Sequence, residues 1–210
     1  MTEIVTLLHR AEYIDSIHNL SQLPPDAGIE VAIAGRSNAG KSSLINRLCR
    51  QNALAKTSRT PGRTRQLVFF RLDPLRHLVD LPGYGYAKVS GDLKRHWRGL
   101  IQTYLDRRQA LAGLVVVMDI RHPLKDLDVE LIEWAGSRGL PLHLVMTKAD
   151  KLGRGKQKET FLKVRRMIAE EVGVQVFSAT SGLGLQELES VMGQWFRPDQ
   201  SLGVIESPGQ

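Results

Sequence analysis

The chain of 210 residues holds a single cysteine, Cys49. One thiol excludes an internal disulfide and a multi-cysteine metal site. Long hydrophobic runs are missing as well. No apolar stretch approaches the roughly 20 residues that a membrane span needs. The opening stretch, MTEIVTLLHRAEYID, brings acidic residues early and has no extended apolar segment with a cleavage site, so it does not read as a secretory leader. His77, His96, His122 and His143 have no metal-ligand spacing with Cys, Asp or Glu, and no Ser-His-Asp or paired-carboxylate arrangement emerges. What remains is an ordinary globular chain, expected in the cytoplasm and as a monomer. Acids are the minority charge: 22 Asp+Glu stand against 29 Lys+Arg, a net +7. That balance points weakly to a polyanionic partner.

What is present is an alternation of apolar runs and amphipathic stretches. Residues 1–28 read as a short helix and a linker, 29–197 as one α/β unit, and 198–210 as a fraying tail. Strands are expected at 29–35, 65–72, 75–81, 111–120, 141–150 and 173–179. Helical spacing appears from Lys41 to Arg50, from Leu93 to Leu105, between the fourth and fifth strands, around Phe161 to Ile168, and from Leu185 to Trp195. Apolar strands alternating with helices predict a mostly parallel six-stranded sheet covered on both faces. The hairpin around Asp73-Pro74 would add one antiparallel edge strand.

The strongest chemical signal is Gly35-Arg36-Ser37-Asn38-Ala39-Gly40-Lys41-Ser42, between an expected strand and an expected helix. It matches the phosphate-loop pattern G-x-x-x-x-G-K-[ST] in its required context. Its glycines let several backbone N–H groups face one anion, and the helix adds its positive end. Lys41 would reach the terminal phosphates of a nucleotide, and the Ser42 hydroxyl would bind Mg²⁺. Asp80-Leu81-Pro82-Gly83 follows a strand, where the Asp can hold Mg²⁺ through a water. Gly83 leaves room for its N–H to approach a γ-phosphate. The loop 57–64 offers Thr57, Thr60 and Thr64 to complete the Mg²⁺ shell. Thr64, just before the strand, is preferred, and Thr60 is the runner-up. The residues expected to act on the γ-phosphate are Lys41, Thr64 and Gly83.

Thr147-Lys148-Ala149-Asp150 ends a strand. The Asp150 carboxylate would accept from guanine's ring N–H and exocyclic amine, whereas adenine would present it an acceptor. The Lys148 stem can lie against the base face, and the Ala179 N–H, after Ser178, can address the guanine carbonyl.

Phosphate loop, switch Thr, DxxG, TKAD and SA stand in the order of the five GTPase motifs. The set resembles a Ras-like P-loop GTPase of the translation-factor-related class. GRSNAGKSSLIN, the TPGRT of Thr60–Thr64, DLPGYGYA and a TKAD with Thr for the common Asn are similar to the EngB family, in the TrmE-Era-EngA-EngB-septin-like superfamily. The resemblance implies GTP and Mg²⁺ binding, a role in assembling the large ribosomal subunit through ribosomal RNA and protein, and an association with septation and cell division. Carried over by position, nucleotide contacts would lie at Gly35–Ser42, at Gly62, Arg63, Thr64, Arg65 and Gln66, at Asp80–Gly83, at Thr147–Asp150 and at Phe177, Ser178 and Ala179. Mg²⁺ would be held directly by Ser42 and Thr64.

Two departures from the broader GTPase pattern matter. Thr147 has one hydroxyl where Asn has a donor and an acceptor group, so at least one tie to base or phosphate loop should be weaker. Tyr84 stands where many GTPases place a water-orienting Gln, so intrinsic turnover should be slow. Asn38 either binds K⁺ beside the phosphates or only hydrogen-bonds its own loop. Tyr84 and Tyr86, in a glycine-rich loop, either stack on RNA or merely cover the switch region; the partner-facing reading is preferred. Finally, the positive charge is clustered: residues 56–76, 88–108 and 151–166 hold nineteen of the Lys+Arg and four of the acids. Those segments flank the nucleotide motifs and would form a phosphate-contacting surface.

Overall fold

Strand β2 (Ile29–Gly35) is buried at six of its seven positions. A strand apolar on both faces needs cover on both, and helices supply it. The computed structural model describes residues 2–55, 66–84 and 91–197, with side chains described in all but 91–98 of these. Its elements run α1 (Glu3–His9), β1 (Glu12–Ile17), β2, α2 (Lys41–Leu48), β3 (Leu67–Arg71), β4 (Arg76–Asp80) and α3 (Gly91–Arg107). Then follow β5 (Leu111–Asp119), α4 (Asp126–Ser137), β6 (Leu142–Thr147), α5 (Arg154–Met167), β7 (Gly173–Val176) and α6 (Leu185–Trp195).

The strands form one seven-stranded sheet in the order β1-β3-β4-β2-β5-β6-β7. β4, β2, β5, β6 and β7 pair in parallel, and β3 is antiparallel to both of its neighbours. The expectation of six strands with an antiparallel edge is corrected here. Residues 12–17, read as linker, are a seventh strand, so β3 lies one place inside the edge. The reason β1 escaped notice is physical. Only Ile17 of its six residues is buried, so EYIDSI carries little apolar signal. The β3–β4 hairpin itself follows expectation: Asp73 Oδ1 accepts from the N–H groups of Leu75 (2.9 Å) and Arg76 (2.8 Å) and closes the turn.

Alternate residues of the central strands enter two cores. Ala32, Ala34, Leu114, Val116 and Met118 pack with residues of α3, α4 and α5. Val31, Ile33, Val115 and Val117 pack with α1, α2 and α6. One polar residue breaks the β2 run. Glu30 is fully buried, and it accepts from Tyr104 Oη (2.8 Å), Arg108 Nε (2.9 Å) and Arg108 Nη2 (2.5 Å). A buried carboxylate is tolerable when so thoroughly paired. β2 lies between β4 and β5, so the connections diverge at its carboxyl end, where open α/β sheets form their ligand crevice. Among the described residues no helix is long and apolar enough to cross a membrane.

Candidate phosphate-loop site

Strand β2 ends at Gly35, where an added Cβ would sit 2.6 Å from the Val117 carbonyl oxygen. Only glycine lets β5 lie this close to the loop. Asn38 (φ 64°) and Gly40 (φ 96°) are both left-handed, which curls the loop back onto the start of α2. Asparagine is among the few side chains that tolerate this region. A Cβ at Gly40 would also lie 3.1 Å from Thr147 Oγ1, so the glycine sets how near the TKAD strand comes.

Four segments predicted from sequence meet here. Lys41, the first residue of α2, is buried, and its ammonium pairs with the buried Asp80 carboxylate at the end of β4. Burial pushes the Asp80 carboxyl up, and the Lys41 charge and hydrogen bond pull it back only in part. Ser37 Oγ donates to the Gly83 carbonyl at 3.4 Å, and the Ser37 N–H donates to the Tyr84 carbonyl at 2.9 Å. DxxG is thereby stitched to the phosphate loop. Thr147 Oγ1 donates to the Ala39 carbonyl and lies 3.0 Å from that of Met118. One proton thus serves two acceptors where Asn would bring two N–H groups. Lys148 Nζ donates to the Asn38 carbonyl (2.5 Å) and pairs with Asp119 Oδ2 (3.0 Å). The Ala149 N–H donates to the Phe177 carbonyl at 3.1 Å. Ser178 Oγ donates to Asp150 Oδ1 at 2.7 Å, and this bond, with Lys151 behind it, holds the exposed Asp150 carboxyl below its ordinary value. Asp150 is therefore an anion with one oxygen already oriented.

Gln66 is turned elsewhere, its side-chain amide against the His18 ring at the end of β1. Gly62, Arg63, Thr64 and Arg65, with Thr57, Thr60 and Tyr86, lie outside the described residues. One expectation is overturned. Tyr84 is not a partner-facing side chain: it is 5% exposed, packs in the α3–α4 core, and donates to Asp128 Oδ1 of α4 at 2.8 Å. Its apolar ring and a waiting carboxylate at Asp128 make burial the better solution.

Sequence reasoning missed Asp119 and Arg121. Asp119 ends β5, and its carboxylate takes Arg121 Nε (2.9 Å) and Nη2 (2.7 Å) as well as Lys148. The available signal was its place at the carboxyl end of a central parallel strand, where sites of such sheets gather.

A family model described as a 50S ribosome-binding GTPase matches residues 30–148. The chain is 55% identical over 209 residues to a probable GTP-binding protein EngB of Xanthomonas axonopodis pv. citri (strain 306), covering 97% of this chain and 98% of that one. It is 58% identical over 193 residues to the protein of the same name in Stenotrophomonas maltophilia (strain K279a), covering 90% and 96%. Among solved structures, a probable GTP-binding protein engB aligns with a TM-score of 0.65 at 21% identity, over 80% of this chain and 98% of that one. Aquifex aeolicus Era bound to GDP and AlF4⁻ aligns with a TM-score of 0.67 at 22% identity, over 84% and 60%. These two structures speak for the Ras-like α/β fold, and the relatives speak for descent. With the phosphate loop, DxxG and TKAD gathered at one end of the sheet and relatives this similar along nearly the whole length, the chain belongs to the EngB family of GTP-binding proteins.

Proposed function

We propose that this protein binds GTP and GDP and hydrolyses GTP slowly, acting as a nucleotide-dependent factor in assembly of the large ribosomal subunit. The observation that carries the nucleotide reading is the convergence of DxxG and TKAD on the phosphate loop, with Asp150 ionised and oriented by Ser178. Gly35–Ser42 would cradle the phosphates, and Lys41 would exchange Asp80 for the β- and γ-phosphates. Thr147–Asp150 and Phe177–Ala179 would read guanine. Gly83 and Thr64 would sense the γ-phosphate.

The donor set fits Mg²⁺. Asp80 is a hard oxygen anion held beside Lys41, whose chain neighbour Ser42 lies in the first turn of the same helix. Ser42 and Thr64 would hold the cation directly and Asp80 through a water. When bound, Mg²⁺ neutralises charge on the phosphates. Tyr84 is committed to Asp128 and so offers nothing to the attacking water, which supports a slow intrinsic rate. Asn38 would hold K⁺ as an added electrophile beside the phosphates. Its carbonyl is taken by Lys148 while the residue itself stays exposed.

Two things support the ribosomal partner: the description of the matching family model, and the charge on α5. Arg154, Lys156, Lys158, Lys163 and Arg166 are all exposed on this one helix, against a single acid, Glu159. The helix follows TKAD directly, so an RNA phosphate backbone lying on it would sit next to the base-reading loop. The family's association with septation would then follow from ribosome supply. Sedimentation with purified large subunits tests the reading. More protein should pellet with a non-hydrolysable GTP analogue than with GDP, and the excess should fall steeply with salt. Pelleting that is absent or indifferent to nucleotide rejects it.

A further inference from the structure

Lys148 has a left-handed backbone (φ 61°) and an ammonium that reaches back to the phosphate loop. A lysine on a flexible stem keeps one such position only if something holds the far side of its charge, because each long side chain loses rotamer freedom when fixed. Asp119 supplies that hold. Its Oδ2 lies 3.0 Å from Lys148 Nζ, and Arg121 grips the same carboxylate through Nε–Oδ1 (2.9 Å) and Nη2–Oδ2 (2.7 Å). The Arg121 backbone N–H adds a third bond, to Oδ1 at 3.0 Å. Burial alone would push the Asp119 carboxyl up. The Arg121 bonds and Lys148 overcome this and hold it well below the usual carboxylate range. The carboxylate is thus anionic at neutral pH.

Asp119 is part of the sheet and not of a mobile loop. Its register partner across the β5–β6 ladder is Thr147, and the Ile120 N–H donates to the Thr147 carbonyl at 3.0 Å. The carboxylate, the threonine that ties Ala39 and the lysine that ties Asn38 therefore move as one piece. A clamp of this kind fixes both the wall against which a base would lie and the carbonyls that shape the phosphate loop.

The geometry points to Asp119, locked by Arg121, as a positioning residue for guanine-nucleotide binding that acts through Lys148. The inference rests on the nucleotide reading of the site given above. It goes beyond the five motifs, none of which includes Asp119 or Arg121.

The test is a double-mutant cycle on the dissociation rate of a fluorescent GDP. Wild-type protein must first bind and release it. If it binds none, the nucleotide reading falls and this inference with it. Given binding, Asp119→Asn should release GDP about tenfold faster, within the range found for charged networks. Lys148→Met should also speed release. In the Lys148→Met background, adding Asp119→Asn should change the rate by less than about twofold, because its route is gone. Arg121→Gln, at an exposed side chain, gives a second and milder variant. It should speed release in the wild-type background and not in Lys148→Met. Wild-type release rates in Asp119→Asn and Arg121→Gln overturn the inference. So does an Asp119→Asn effect of equal size with and without Lys148, which would mark a structural role only.

Discussion

Tyr84 Oη donates to Asp128 Oδ1 at 2.8 Å, joining the residue after DxxG to the first turn of α4. Asp128 is fully buried, and its other oxygen accepts the Lys125 N–H at 3.0 Å. Burial pushes the Asp128 carboxyl up, while the Tyr84 hydrogen bond opposes it. The pair commits a phenol that the sequence pattern alone turns toward a partner.

Tyr84→Phe keeps the ring in the core and removes only the donor. The Asp128 oxygen is then short of its partner in a dry place, which costs about 1–3 kcal/mol. Urea unfolding should show a loss of this size. Single-turnover GTP hydrolysis by the folded variant should match wild type, since the hydroxyl is spent on α4. A wild-type unfolding midpoint, or a collapse of hydrolysis in a stable variant, would contradict this account.

Thr147→Val is nearly isosteric and tests the other cross-link. It removes the hydroxyl shared between Ala39 and Met118 and leaves the β6 backbone untouched. The loop carbonyl of Ala39 loses its donor, so GDP should bind about five- to tenfold more weakly, the price of about one hydrogen bond. Equilibrium titration with labelled GDP decides it, with unchanged affinity as the refuting result. Restoring the commoner residue by Thr147→Asn is a harder substitution, because Thr147 is buried and its hydroxyl already lies against the Ala39 carbonyl.

How much of this was legible beforehand depends on where each signal lies. β2, β5 and β6 were plain because both their faces are buried and the runs are mostly apolar. The phosphate loop and TKAD were plain because their chemistry demands fixed local spacing. β1 was hidden by its exposure at the sheet edge. Tyr84 misled because its glycine neighbours suggested a loop, and only the fold brings Asp128 to it from 44 residues away. Lys148 was read as a wall for the base. Its ammonium partners, Asn38 in the phosphate loop and Asp119 at the end of β5, come from other segments, and no local pattern announces them.

Asp150→Asn asks whether the orienting of Asp150 serves base selection. Asn can keep a hydrogen bond to Ser178, so the loop should survive. GDP affinity should fall about a hundredfold or more, because the site then meets guanine's donors with one of its own. Xanthosine diphosphate should gain affinity. Competition of the two nucleotides against a labelled probe reads both changes. Parallel losses for both would mean the loop had been damaged and not re-specified.

Lys41→Ala separates phosphate binding from the folding role of the Lys41–Asp80 pair. The ammonium is the buried partner of Asp80, so its loss strands a carboxylate in the core as well as removing a phosphate ligand. Breaking such a pair costs about 3–5 kcal/mol when the remaining charge stays ionised. The pH dependence follows from the direction of the Asp80 shift. Burial already holds its folded-state pKa above the ordinary carboxylate value, and without Lys41 nothing pulls it down. A carboxyl raised in the folded state favours folding most below its unfolded pKa, and that advantage is lost as pH rises through the folded one. The stability gap between wild type and Lys41→Ala should therefore narrow as pH falls from pH 8 into the acid range, as Asp80 takes up a proton and ceases to need a cation. Urea midpoints of both proteins across that interval give the gap directly. A gap independent of pH would show that Asp80 finds another counter-charge or solvent once Lys41 is gone, and that the pair contributes little to the fold.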